Sequence, residues 1–252
     1  MKTAVSLMVL AFLMSLTGCS GIALREHAPV ALPADLATRG ECIYFGSTFP
    51  LDGEADPLFV YERRVESVGD HLVATHITRT PGGLVALADQ ATHTETYALR
   101  EYRLLTDQQG QTGSIHVDGD TVTFAFGQRV RVEQGTGDVV VGPTVVGYLW
   151  KRLDTLRASE TLAVRFAVLD RLETLDFTLT AVSAPTGQTR VQMSPTSVII
   201  GLVVDPIFFT FETGSGKLVR IEGRVPPKRE VDGALVDLDA RVEYRFVAAD
   251  YR

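Results

Sequence analysis

Five histidines, His27, His71, His76, His93 and His116, are the first side chains to ask for chemistry. None stands four residues from another, the spacing that sets two imidazoles on one helix face around zinc. His71 and His76 lie five apart in a strand-like stretch and so point to opposite faces. We expect surface or hydrogen-bonded histidines. Asp52, Glu54 and Asp56 form an acidic series, without the glycine and distal bidentate glutamate of a calcium loop, and read as a solvated turn. Ser215 in Thr213-Gly214-Ser215-Gly216 lacks the strand-to-helix spacing of a nucleophile elbow. Gly135-Thr136-Gly137-Asp138 runs into valines rather than opening a helix, so no phosphate cradle follows. Asp118 and Asp120 flank a tight turn and shape it. No catalytic residue, metal or cofactor is expected from these patterns. An envelope hydrolase whose groups meet only in the folded chain stays as the alternative.

The start of the chain is more specific. Met1-Lys2-Thr3 is followed by an uncharged, mostly apolar run, Ala4 to Leu16. That length suits the core of an export signal and falls short of the ~20 residues of a membrane span. The run ends in Leu16-Thr17-Gly18-Cys19-Ser20, which resembles the lipobox of bacterial lipoproteins. The resemblance implies acylation of Cys19, cleavage before it, and a lipid-anchored protein of the cell envelope. With neutral Ser20 after the cysteine, it also implies the periplasmic face of an outer membrane. Residues 1–18 are then a signal peptide, and the bilayer is the expected partner through the Cys19 acyl chains. Two or more such chains make attachment stable, at ~0.8 kcal/mol per buried CH₂. Cys42 is left without an intramolecular partner and reads as a small buried hydrophobe.

Composition narrows the classes further. A chain of 252 residues with 45% hydrophobic and 22% charged residues is globular. Its net charge of −7 argues against nucleic acid. Prolines 29, 33, 50 and 57 and weak periodicity mark residues 19–56 as a tether and N-terminal extension, leaving 57–252 as one antiparallel β-rich domain. The clearest strand holds Val236, Leu238, Ala240, Val242, Tyr244 and Phe246, with charged residues at all five intervening positions. Such alternation describes one face in a core and one in water, and it excludes a lipid-embedded barrel strand. Ten or eleven strands of this kind, joined by short hairpins, are expected. Asp118-Gly119 is the strongest turn signal.

A helix is expected near 143–158, with Pro143 at its start and Val145, Val146, Leu149, Trp150, Leu153 and Leu156 on one stripe. Val198–Val204 is an apolar run that periodicity leaves open as helix or buried strand, ended by Asp205-Pro206. The fold class expected is therefore mainly β with one or two helices, a curled antiparallel sheet (open half-barrel) around a central helix. Over residues 57–247 this strand pattern resembles the half-barrel of the lipoprotein-localisation (Lol) carriers and several exported families of similar build. That resemblance implies an apolar small molecule or an envelope protein as partner. The residues expected to line a ligand cavity are Trp150, Ile200, Val203 and Phe209, with Val198–Val204 either a lid or part of the core.

Overall fold

A computed structural model describes residues 36, 39–51, 56–202 and 204–248, apart from the side chain of Ile200. The signal segment, Cys19, His27, Asp52, Glu54 and Val203 lie outside the described residues. The strands are β1 (Glu41–Pro50), β2 (Phe59–Val68), β3 (His71–Arg79), β4 (Val85–His93), β5 (Leu99–Thr106), β6 (Gly113–Asp118), β7 (Thr121–Phe126), β8 (Arg129–Gln134) and β9 (Val139–Val140). Helices α1 (Gly142–Trp150) and α2 (Leu153–Arg157) follow. Then come β10 (Leu162–Val168), β11 (Glu173–Val182), β12 (Gln188–Pro195), helix α3 (Val198–Gly201), β13 (Ile207–Glu212), β14 (Leu218–Val231) and β15 (Ala234–Phe246).

All fifteen strands form one curled sheet in the order β8-β7-β6-β5-β4-β3-β2-β1-β15-β14-β13-β12-β11-β10-β9. From β1 to β8 and from β10 to β15, strands adjacent in the chain pair antiparallel. At β6–β7 and β14–β15 the loops hold two residues, Gly119-Asp120 and Asp232-Gly233. Positive φ at Gly119, and at both Asp232 and Gly233, matches the turns whose twist suits a hairpin. β1 and β15 pair with each other, Tyr44 opposite Phe246, and so join the two halves. The β9–β10 pair is parallel, with α1 and α2 forming the crossover between them.

The curl brings the sheet's two edges together. Glu133 of β8 accepts from the Thr174 backbone N–H (2.9 Å) and hydroxyl (3.0 Å) on β11. Arg165 of β10 donates to the Gly135 carbonyl (2.6 Å) and to Thr174 Oγ1 (3.0 Å). Side chains thus bridge the seam that backbone pairing leaves open. Inside the curl, α1 packs against β3, β4 and β9, and every residue from Pro143 to Leu149 is buried. One core cluster joins α1 and α2 to β1, β3, β11, β13 and β15 through Ile43, Ala74, Leu149, Phe177, Phe211 and Val242.

Three expectations need revision. The extension drawn over 19–56 contributes β1, a central strand, and the strand count is fifteen rather than ten or eleven. The helix near 143–158 is two helices, divided at Lys151-Arg152, because Arg152 caps the second with a non-helical backbone. Finally, the described residues of Val198–Val204 form neither a buried strand nor a core helix. α3 has four residues, and Val198, Ile199 and Leu202 are 81%, 79% and 80% exposed.

Candidate functional site

The sequence pattern on β2 places Phe59, Tyr61, Arg63 and Val65 on one face, and that face turns inward. Arg63 is therefore carried into the interior, where it is 1% exposed and among the largest fully buried side chains. Cross-strand register continues the row: Tyr44 of β1 faces Arg63, Arg63 faces His76 of β3, and His76 faces Asp89 of β4. Directly opposed residues share a face, so three titratable groups from adjacent strands line up inside the sheet. Arg63 Nη1 donates to the Pro143 carbonyl at the start of α1 and lies 3.0 Å from His76 Nε2. Asp89 Oδ2 accepts from the Tyr102 hydroxyl at 3.3 Å.

Aromatic rings wall this row. Tyr44 meets Tyr61 (6.1 Å) and Tyr244 (5.2 Å) edge-on, and Tyr61 meets Tyr244 in the same way at 5.7 Å. Gly46 is required here, since a Cβ would stand 2.1 Å from the Tyr61 ring. On the other side His93 stacks on Tyr97 at 4.8 Å. Tyr97 takes a left-handed backbone (φ 64°) in the β4–β5 turn, and its ring presses on α1 at Gly147. That conformation is uncommon for a residue with a side chain and needs packing to hold it.

Burial sets the electrostatics. Removal from water holds His76 well below the ordinary imidazole range, with the Arg63 charge acting in the same direction. The same causes bring His93 down to about 4, against a smaller upward push from its bond to the Thr94 carbonyl. Both rings are neutral at pH 7. Burial pushes the Asp89 carboxyl up to about 7, although Tyr102 and Arg63 favour its ionised form. Four polar atoms inside make no hydrogen bond: Arg63 Nε, Arg63 Nη2, Asp89 Oδ1 and His93 Nε2. Buried polar groups are nearly always satisfied, so a cluster of exceptions marks a site.

The residues expected from sequence to line a cavity lie elsewhere. Phe209 is 2% exposed within the main core cluster, and Trp150 packs against that cluster with its indole nitrogen beside Gly216. Ile200 lies in α3, so its backbone belongs to the exposed loop. Two surface recesses are lined by other residues. One, of about 360 Å³, lies over Phe45, Val60, Ile77 and Arg79 on β1–β3; the other, of about 540 Å³, lies at the seam around Glu133, Arg165 and Asp176. Cys42 is half-buried, and burial raises its thiol pKa, away from a reactive thiolate. Among the described residues no group of three or more His, Cys, Asp or Glu could hold a metal, and no helix is long and apolar enough to cross a membrane.

Arg63 and Asp89 escaped the search by motif because they are scattered over separate strands. One signal was present. Arg63 breaks the apolar phase of Phe59, Tyr61 and Val65, as His76 breaks that of Ala74 and its neighbours.

These features define a mainly-β protein, one curled antiparallel sheet with a helix on its concave side. No family model and no curated protein matches the chain. Among solved structures it is similar to a β-barrel-like protein of domain of unknown function DUF1849 from Brucella abortus. The identity is 12% and the TM-score 0.45, over 81% of this chain and 96% of that one. It is also similar to a DUF1089 family protein from Pseudomonas aeruginosa, at 12% identity and a TM-score of 0.37, over 63% of this chain and 87% of that one.

Proposed function

We propose that this protein is a lipid-anchored module of a bacterial cell envelope, acylated at Cys19, which acts by binding rather than by catalysis and rests an apolar loop on the bilayer. The observation that carries the reading is the loop between β12 and β13. From Val198 to Val204 it contains no polar side chain, and Val198, Ile199 and Leu202 stand about four-fifths exposed. Contiguous exposed apolar residues mark contact surfaces, since leaving them in water forfeits ~25 cal/mol per Å². A chain that begins with a lipobox-like segment has a bilayer at hand. The concave face already holds α1, which favours a surface contact over an enclosed apolar ligand of acyl-chain size.

The geometry is compatible with such an arrangement. Pro50 at the end of β1 pairs with Ala240, Ala240 pairs with Gly223, and Gly223 lies against Pro206 and Ile207. The loop is thus at the end of the sheet opposite to Glu41. Residues 20–35, ahead of the buried Leu36, span at most ~55 Å when extended, enough to let that end face the membrane holding Cys19. With Ser20 after the cysteine, the proposed location is the periplasmic face of an outer membrane. The test is Leu202→Trp in a Trp150→Phe background, purified from membranes and reconstituted in vesicles containing brominated phospholipid. The reading expects strong quenching at position 202. Emission unchanged by the brominated lipid would refute bilayer contact.

A further inference from the structure

We propose that Arg63 is the anchor of an anion site inside the sheet, which takes one small monoanion such as a halide or a short carboxylate. The proposal does not depend on lipid anchoring. A guanidinium stays protonated at every relevant pH, so folding carries a full positive charge into the interior with Arg63. Such a charge is retained only when it is paired, because the dry interior returns little of the lost hydration. Among the described residues no carboxylate lies within ion-pair distance of Arg63, although arginine–carboxylate pairs are common on the outer face of β14 and β15. Asp89 stands in the same row, but His76 lies between the two, and its Oδ2 is taken by Tyr102.

The pattern of committed and uncommitted atoms says how the ligand is held. Nη1 is engaged by the Pro143 carbonyl and His76, while Nε and Nη2 are buried and have no partner. Nε and Nη2 carry the two parallel N–H bonds along one side of the guanidinium, the fork that grips a carboxylate side-on. Their neighbourhood suits an anion. His76 and His93 are uncharged, so among the described residues of this row Arg63 is the one cation, and a single negative charge balances it. Arg63 is 1% exposed and Tyr44 no more so, which limits the ligand to a few atoms. A water could accept the same two hydrogen bonds but would leave the charge unbalanced.

Two measurements on the full chain test this. Crystals grown in sodium bromide should show an anomalous peak within hydrogen-bond reach of Arg63 Nε and Nη2, and crystals grown in sodium formate a planar three-atom density there. Either result alone supports the site and narrows its ligand to a halide or a carboxylate. Density for water in both overturns it. In solution, the thermal midpoint should climb as bromide or formate replaces gluconate at constant ionic strength, following mass action. The climb should vanish in Arg63→Met. An equal climb in the variant, or none in the native protein, overturns the proposal; if Arg63→Met does not fold, the anomalous measurement decides by itself.

Discussion

Replacing Asp89 by Asn is expected to stabilise the protein, and to do so only above acidic pH. Asp89 is 4% exposed, with Oδ2 bonded to Tyr102 and Oδ1 unpaired. Its pKa is about 7 in the folded chain against an ordinary carboxyl value of 3.8. A raised carboxyl pKa means that the folded state binds the proton more tightly than the unfolded one. Native stability is then undiminished by this group below pH 4 and falls as pH rises from about 4 to 7, where the carboxylate must ionise in a dry setting. At ~1.4 kcal/mol per pH unit, the full penalty is roughly 4 kcal/mol above pH 7. Asn keeps the shape and the acceptor for Tyr102 and has no charge to bury. His76 and His93 titrate with the opposite sign, gaining stability as pH rises, but they do so in both proteins and cancel in the difference. Urea unfolding of both proteins at pH 4, 5, 6, 7 and 8 measures that difference. It should start near zero, grow with pH and level off above 7. A flat difference, or an Asn variant less stable at pH 8, would show that the ionised carboxylate is welcome there and serves as the counter-charge of Arg63.

Three further outcomes follow from the packing. Val242→Asp puts an unpaired charge on the buried face of β15 and should cost several kcal/mol. Glu243→Gln, next door on the outer face beside Arg220 and Arg241, should change the unfolding free energy measured in urea by about 0.5 kcal/mol or less. Gly147→Ala should destabilise although alanine favours a helix by ~1 kcal/mol, because its Cβ would come within 1.9 Å of the Tyr97 ring. In a Tyr97→Ala background the same change should become neutral or stabilising, a coupling that a double-mutant cycle measures. Leu202→Asp should leave the unfolding free energy within about 0.5 kcal/mol of that of the native protein, since that side chain is exposed.

How much of this was legible in the sequence varied with how local its cause is. The alternation of β15 predicted the burial of Leu238, Ala240 and Val242 directly. Val236 departs from the pattern and is exposed because it lies out along the long β14–β15 hairpin, opposite Arg229 and beyond the bulge between Val225 and Arg229. β1 was illegible: a bulge between Cys42 and Tyr44 shifts its phase, and Gly46 makes sense only once the Tyr61 ring lies over it. Sequence alone leaves the apolar run 198–204 open between lid and core, because hydropathy does not distinguish a buried apolar segment from an exposed one, which Val198, Ile199 and Leu202 are. The polar row was hidden by topology. Arg63, His76 and Asp89 stand thirteen residues apart, and only the meander of β2, β3 and β4 makes them neighbours.

The proposed acylation of Cys19 is tested most directly by intact mass spectrometry of the protein extracted from membranes. The expected result is a chain beginning at Cys19, heavier than the unmodified polypeptide by the mass of its acyl groups, and absent when Cys19→Ser is expressed in its place. A soluble chain of unmodified mass, or an N-terminus at any other residue, would contradict it.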